Sequence, residues 1–100
     1  MNSKKRYYKW RLRKVISEAQ KQTKAFKIIA SPERPSWKAD LSFFFDAFIF
    51  VTENGIYVQF ARYRTLSPPV KCGDIDEAID MVSSWMVKHP SRWRIDWEKI

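Results

Sequence analysis

Asp74, Asp76, Glu77 and Asp80 place four carboxylates within seven residues, the densest set of groups in the chain that could bind a metal ion or exchange protons. A general acid/base pair or a metal site needs those carboxylates to converge on one point, with further ligands such as histidine nearby. No histidine lies close in sequence. Acids at the start of a helix complement its dipole, so a structural role is expected for them. His89 is the only histidine and precedes Pro90. At the end of a helix, beside free carbonyls, it is expected to be partly cationic rather than catalytic. Cys72 is the only cysteine, which excludes an intrachain disulfide and a thiolate zinc site in one copy of the chain, and no base is evident near it. No serine stands in a glycine-framed elbow and no phosphate-loop pattern is present. The expectation is a protein that is not an enzyme, with no catalytic residue, metal, cofactor or small-molecule substrate.

The remaining chemistry is charge. Ten of the nineteen Lys and Arg residues fall in the first 27 positions against one acid, Glu18, while the rest of the chain is nearly neutral; the net charge of +8 therefore belongs to this segment. From about residue 3 to 24 the segment reads as a helix, because Tyr8, Leu12, Val15, Ile16, Ala19 and Phe26 recur at three- and four-residue spacings. Ser3 is the expected cap. Opposite that stripe a helical wheel places Arg6, Arg13, Lys14, Lys21 and Lys24, with Trp10 among them and Tyr7 beside them. A solvated charged face normally alternates acids with bases at i,i+4 spacing. Here the acids are missing, and a large aromatic residue sits where solvation alone would want none. The candidate binding residues are accordingly Lys4, Lys5, Arg6, Tyr7, Lys9, Trp10, Arg11, Arg13, Lys14, Lys21 and Lys24.

The elements that must carry this helix follow in order. Residues 26–30 suit a short strand, and residues 31–36, with two prolines, a loop that ends at Trp37. From Leu41 to Val51 the aromatic and β-branched content favours a strand, and Asn54-Gly55 signals a hairpin. With those two residues as the turn, Val51 faces Val58, Ile49 faces Phe60 and Ala47 faces Arg62 on an apolar core face. Phe48, Phe50, Tyr57 and Tyr63 are then candidates for a second aromatic surface, covered by the Trp37 loop or by Trp93 and Trp97; left uncovered, it would need a partner or a second copy of the chain. Residues 66–73 contain Pro68-Pro69 and are expected outside the sheet. Asp74 and Glu77 have the spacing of a capping box for a second helix with the stripe Ile75, Ala78, Ile79, Val82, Trp85 and Met86. Were both helices on the same sheet face, this acidic turn would lie near the basic helix and orient it. Trp93, Ile95 and Trp97 alternate with charged residues as in a last strand.

One α+β domain spanning residues 1–100 is expected, in the order α-β-β-β-α-β, with an antiparallel sheet of three to four strands covered on one face by two helices. Tyr57-Val58-Gln59-Phe60 overlaps the end of the RNA-recognition-motif pattern, but the preceding four residues and the element order depart from it. The order is similar to that of double-stranded-RNA-binding domains, which carry lysines where this chain starts its second helix with acids. No family is assigned. The leading expectation is a nucleic-acid-binding module acting through phosphate contacts. The alternative is a small accessory or inhibitor module of viral or mobile-element type that binds an acidic surface on a larger, nucleic-acid-processing complex. A membrane-surface role for the basic helix ranks below both, because its apolar stripe is needed to cover the sheet. The lack of an apolar run after the basic segment, the single cysteine and the lack of a membrane-length stretch lead to the expectation of a soluble, cytoplasmic protein.

Overall fold

The computed structural model describes residues 3–33, 45–89 and 91–100. Of the expected loop at 31–36, Ser31 and Pro32 instead continue the preceding strand, paired among the described residues with Arg94 and Trp93 on one side only, where a proline's missing N–H is tolerated. The part of that loop beyond Glu33, up to Trp37, and the start of the expected strand at Leu41 lie outside the described residues. The chain runs through helix α1 (Ser3–Gln22), strands β1 (Phe26–Pro32), β2 (Ala47–Thr52), β3 (Gly55–Arg62), β4 (Thr65–Leu66) and β5 (Val70–Cys72), helix α2 (Ile75–Lys88) and strand β6 (Trp93–Lys99). One antiparallel sheet has the order β4-β3-β2-β1-β6, and β5 also pairs with β3. Among the described residues no helix is long and apolar enough to cross a membrane.

Both helices cover one face of this sheet. Tyr8, Leu12, Ile16 and Ala19 of α1 are buried together with Ala78, Ile79, Val82 and Met86 of α2. They meet Phe26, Ile28, Ala30, Ala47, Ile49, Val58 and Trp93 from the strands. Each fully buried aliphatic or aromatic side chain contributes about 1.5–3 kcal/mol, against about 0–1 kcal/mol for an exposed ion pair, so this layer and not surface charge holds α1 in place.

The sheet has six strands instead of three or four, and the added pair comes from the segment with the two prolines. Residues 65–72 are a single edge run, paired to β3 at both ends and interrupted by Ser67-Pro68-Pro69. Pro cannot donate to a ladder, but on an edge the loss is local. Ser67 fills the gap. Its N–H donates to the Phe60 carbonyl at 2.8 Å, and its Oγ accepts from the Phe60 N–H at 3.0 Å. Gln59 Nε2 donates to the Ser67 carbonyl at 2.9 Å.

The hairpin register also differs from the expected one. Thr52 pairs with Gly55 and Val51 with Ile56, so Glu53 and Asn54 form the turn. A type I′ turn needs positive φ at both central residues, and among the described residues positive φ occurs only at Phe45, Tyr63 and Gly55. Gly55, at φ 135°, takes up the left-handed backbone after the turn instead. Thr52 Oγ1 accepts from the Asn54 N–H at 3.2 Å and donates to the Gly55 carbonyl at 3.0 Å, which closes the turn one residue early. That slides the pairing by two positions, so Ala47, Ile49 and Val51 keep their face.

Candidate nucleic-acid interface

The sides of α1 are defined by what each one meets. Toward α2, Lys5 Nζ and Lys9 Nζ lie 2.9 and 3.1 Å from Asp80 Oδ1, and Arg13 Nη2 lies 3.1 Å from Asp76 Oδ1. The acidic turn therefore does sit beside the basic helix. The two ammonium groups hold the Asp80 carboxyl below its ordinary pKa, chiefly by donating hydrogen bonds to the charged form. Toward β6, Arg11 Nη2 donates to the Trp93 carbonyl at 2.8 Å, and its guanidinium lies 5.6 Å from the Tyr7 ring centroid. These four candidate residues are thus engaged within the fold.

Outward, helical geometry leaves Arg6, Tyr7, Trp10, Lys14 and Lys21 on one strip opposite the buried stripe. Tyr7 is 53% and Trp10 57% exposed, and their rings stack at 6.3 Å and 27°. Lys14 Nζ lies 5.3 Å from the Trp10 centroid, within range of a cation–π contact. Lys4 is exposed near the start of the helix, and Lys24 is exposed in the turn that leads to β1. Ser3 is the first residue inside α1 and so does not stand in the cap position. The strip presents a flat aromatic pair bordered by cations, which suits an anionic ligand with planar groups. No family model, curated protein or solved structure matches the chain.

The other chemically capable residues serve the fold. Asp74 Oδ1 accepts from the Glu77 N–H at 2.8 Å, and Glu77 Oε2 accepts from the Gly73 N–H at 3.0 Å, a reciprocal cap on α2. Among the described residues no group of three or more His, Cys, Asp or Glu is arranged to hold a metal ion. Cys72 is buried, and burial together with Glu77 and Asp74 pushes its thiol pKa up, away from the nucleophilic thiolate.

His89 does cap α2 but is not the partly cationic group expected there. Its ring stacks on Phe45 at 4.5 Å and lies 4.4 Å from Trp85, and burial, with Arg62 and Lys88 nearby, lowers its pKa. Desolvation outweighs the helix dipole at this site. Phe45, at φ 59°, is held by its carbonyl accepting from Trp85 Nε1 at 2.8 Å.

On the opposite sheet face, Phe50 of β2 and Tyr57 of β3 are direct neighbours. Lys27 of β1 flanks Phe50, and Lys71 of β5 flanks Tyr57. Trp93 and Trp97 do not cover this row, because both pack on the helix side of the sheet. Tyr63 leaves it as well, turning against Phe45 at 5.2 Å. Sequence reasoning missed the two lysines because it assigned residues 26–30 no neighbouring strand and its proline argument kept Lys71 out of the sheet. The signal available was the alternation of Val70, Lys71 and Cys72.

Proposed function

We propose that the protein is a non-enzymatic nucleic-acid-binding module that grips phosphates along the outer strip of α1. Arg6, Lys14 and Lys21, with Lys4 and Lys24 beyond the strip's ends, supply the cations, and Tyr7 and Trp10 supply a stacking or anchoring surface. The observation that carries this reading is the exposed, stacked Tyr7–Trp10 pair, with Lys14 Nζ 5.3 Å from the Trp10 ring, on the side of α1 turned away from the core. A surface kept only for solubility would not expose two large rings there. Nothing in the strip dictates base-edge readout, so affinity is electrostatic and weakly dependent on sequence.

A salt titration tests it. With a fluorescent oligonucleotide, three or four neutralised phosphates would weaken binding by about ten- to a hundredfold between about 50 and 200 mM salt. Replacing Trp10 and Lys14 by Ala should lower affinity at every salt concentration. An affinity that stays flat over that range defeats the reading. Retention of a partner protein after complete nuclease digestion would favour the accessory or inhibitor alternative, for which exposed Trp, Tyr and Arg are also suitable contacts.

A further inference from the structure

The second aromatic surface sits on the sheet face turned away from both helices. Across four strands it reads Lys27, Phe50, Tyr57 and Lys71, each paired with the next. Lys27 Nζ lies 6.0 Å from the Phe50 ring centroid and 5.7 Å from that of Phe48, and it meets Glu98 at 3.5 Å. At the other end, the space beside Gly55 is bounded by the Lys71 side chain and the Tyr57 hydroxyl. A cleft of about 410 Å³ opens over this row, lined by Phe50, Thr52, Asn54, Tyr57, Gln59 and Pro69. Its floor is aromatic and its rim carries two amides. Of these, Gln59 spends an N–H on the Ser67 carbonyl, while its Oε1 is a further acceptor.

We infer that this cleft is a stacking site for an unpaired base of a single-stranded nucleic acid, with Phe50 and Tyr57 beneath the base and Lys27 and Lys71 beside the flanking phosphates. Aromatic side chains on a sheet accept any base through its π-face, and lysines on both sides suit a ligand that carries an anion at each end of the ring. A base inside a duplex cannot reach such a floor, so the site selects single strands. The inference rests on the nucleic-acid reading of α1 and gives it a substrate class.

The fold joins the two surfaces at one end of the sheet. Phe26 pairs with Val51, whose next neighbour across the hairpin is Ile56, which puts the bend holding Lys24 beside the turn end of the β2–β3 hairpin. Lys21, Lys24 and Lys27 therefore lead from the outer strip of α1 around the sheet end toward the cleft. One strand can follow that course with its phosphates near cations throughout.

Two measurements test the site. The first compares wild type with the double variant Phe50→Leu and Tyr57→Leu, which keeps apolar bulk but removes the rings. Its affinity for oligo(dT) should fall at least about fivefold, the lower end of what one stacked base contributes, while its affinity for a duplex of equal length stays unchanged. Trp10→Ala with Lys14→Ala should weaken both. The second is photo-crosslinking of wild-type protein to oligo(dT) carrying 4-thiothymidine, with the adduct mapped by mass spectrometry. Adducts on β2 or β3 support the site. Adducts confined to α1, or equal losses for single strand and duplex in the ring variant, overturn it while leaving the α1 reading intact. If the α1 variant leaves all binding unchanged, it is the α1 reading that fails.

Discussion

The two helices lie on the same sheet face and are held there by different means. Helix α2 is favoured by its own sequence: Asp74 and Glu77 close its first turn, acids occupy its positive end and Lys88 its negative end. Helix α1 has no acid in its first turn and begins with Lys4, Lys5 and Arg6, which its dipole disfavours. What keeps α1 helical is the burial of Tyr8, Leu12, Ile16 and Ala19, helped by Asp76 and Asp80 of α2. Local stability does not explain the basic charge on α1. The charge in its first turn opposes the helix that bears it, although Lys21 in the last turn suits the dipole, and the rest of the fold compensates, a pattern expected where charge serves a ligand.

If that contrast holds, α1 should break from its inner side and tolerate change on its outer one. Leu12 is fully buried, and Leu12→Ala should cost about 2–5 kcal/mol, a large part of a small domain's stability. Trp10→Ala, on the outer strip, should stay within about 0.5 kcal/mol of wild type while weakening oligonucleotide binding. Urea unfolding followed by far-UV circular dichroism measures both. A Trp10→Ala loss comparable to that of Leu12→Ala would make the outer strip part of the fold and remove the contrast.

The caps give the next largest effect. Asp74→Ala should destabilise by about 1 kcal/mol, and Asp74→Asn, which keeps the accepting oxygen, by much less. Ser3→Ala should leave the midpoint unmoved, since Ser3 stands inside α1. Equal losses at the two positions would mean that both helices depend on local capping.

Much of this architecture was legible in the sequence because it depends on period alone. The buried stripes of α1 and α2 and the alternation of Trp93, Ile95 and Trp97 survive small errors of boundary. The hairpin's core face survived a pairing slip because a slip of two returns each side chain to its own face. Other features depend on single atoms that no periodicity reports. The hydroxyl of Ser67 lets an edge run pass two prolines, and that of Thr52 closes the turn one residue early. The helical wheel alone sets Arg6, Arg13, Lys14, Lys21 and Lys24 opposite the apolar stripe. The division that takes Arg13 off that face needs the packing of α2, because only the approach of the helices shows that Arg13 meets Asp76 while Lys5 and Lys9 meet Asp80.

The smallest predicted effect is also the one that tests that division directly. Asp80 titrates below its ordinary value of 3.8 in the folded chain because Lys5 and Lys9 donate to its charged form. A carboxylate whose folded pKa is depressed contributes stability that is fully present above the unfolded value and is lost as pH falls through the folded one. The stability difference between wild type and Asp80→Asn should therefore be constant from neutral pH down to about pH 5 and should vanish in stronger acid. It should be modest, because the Asp80 side chain is 52% exposed and the pair is screened by solvent, and it should shrink further with added salt. Acid unfolding monitored for both proteins at low and high salt reads all three features. A difference that persists well below the carboxylate range would show that Asp80 acts through packing and not through charge. The acids of α2 would then not be what separates the inner cations of α1 from its outer ones.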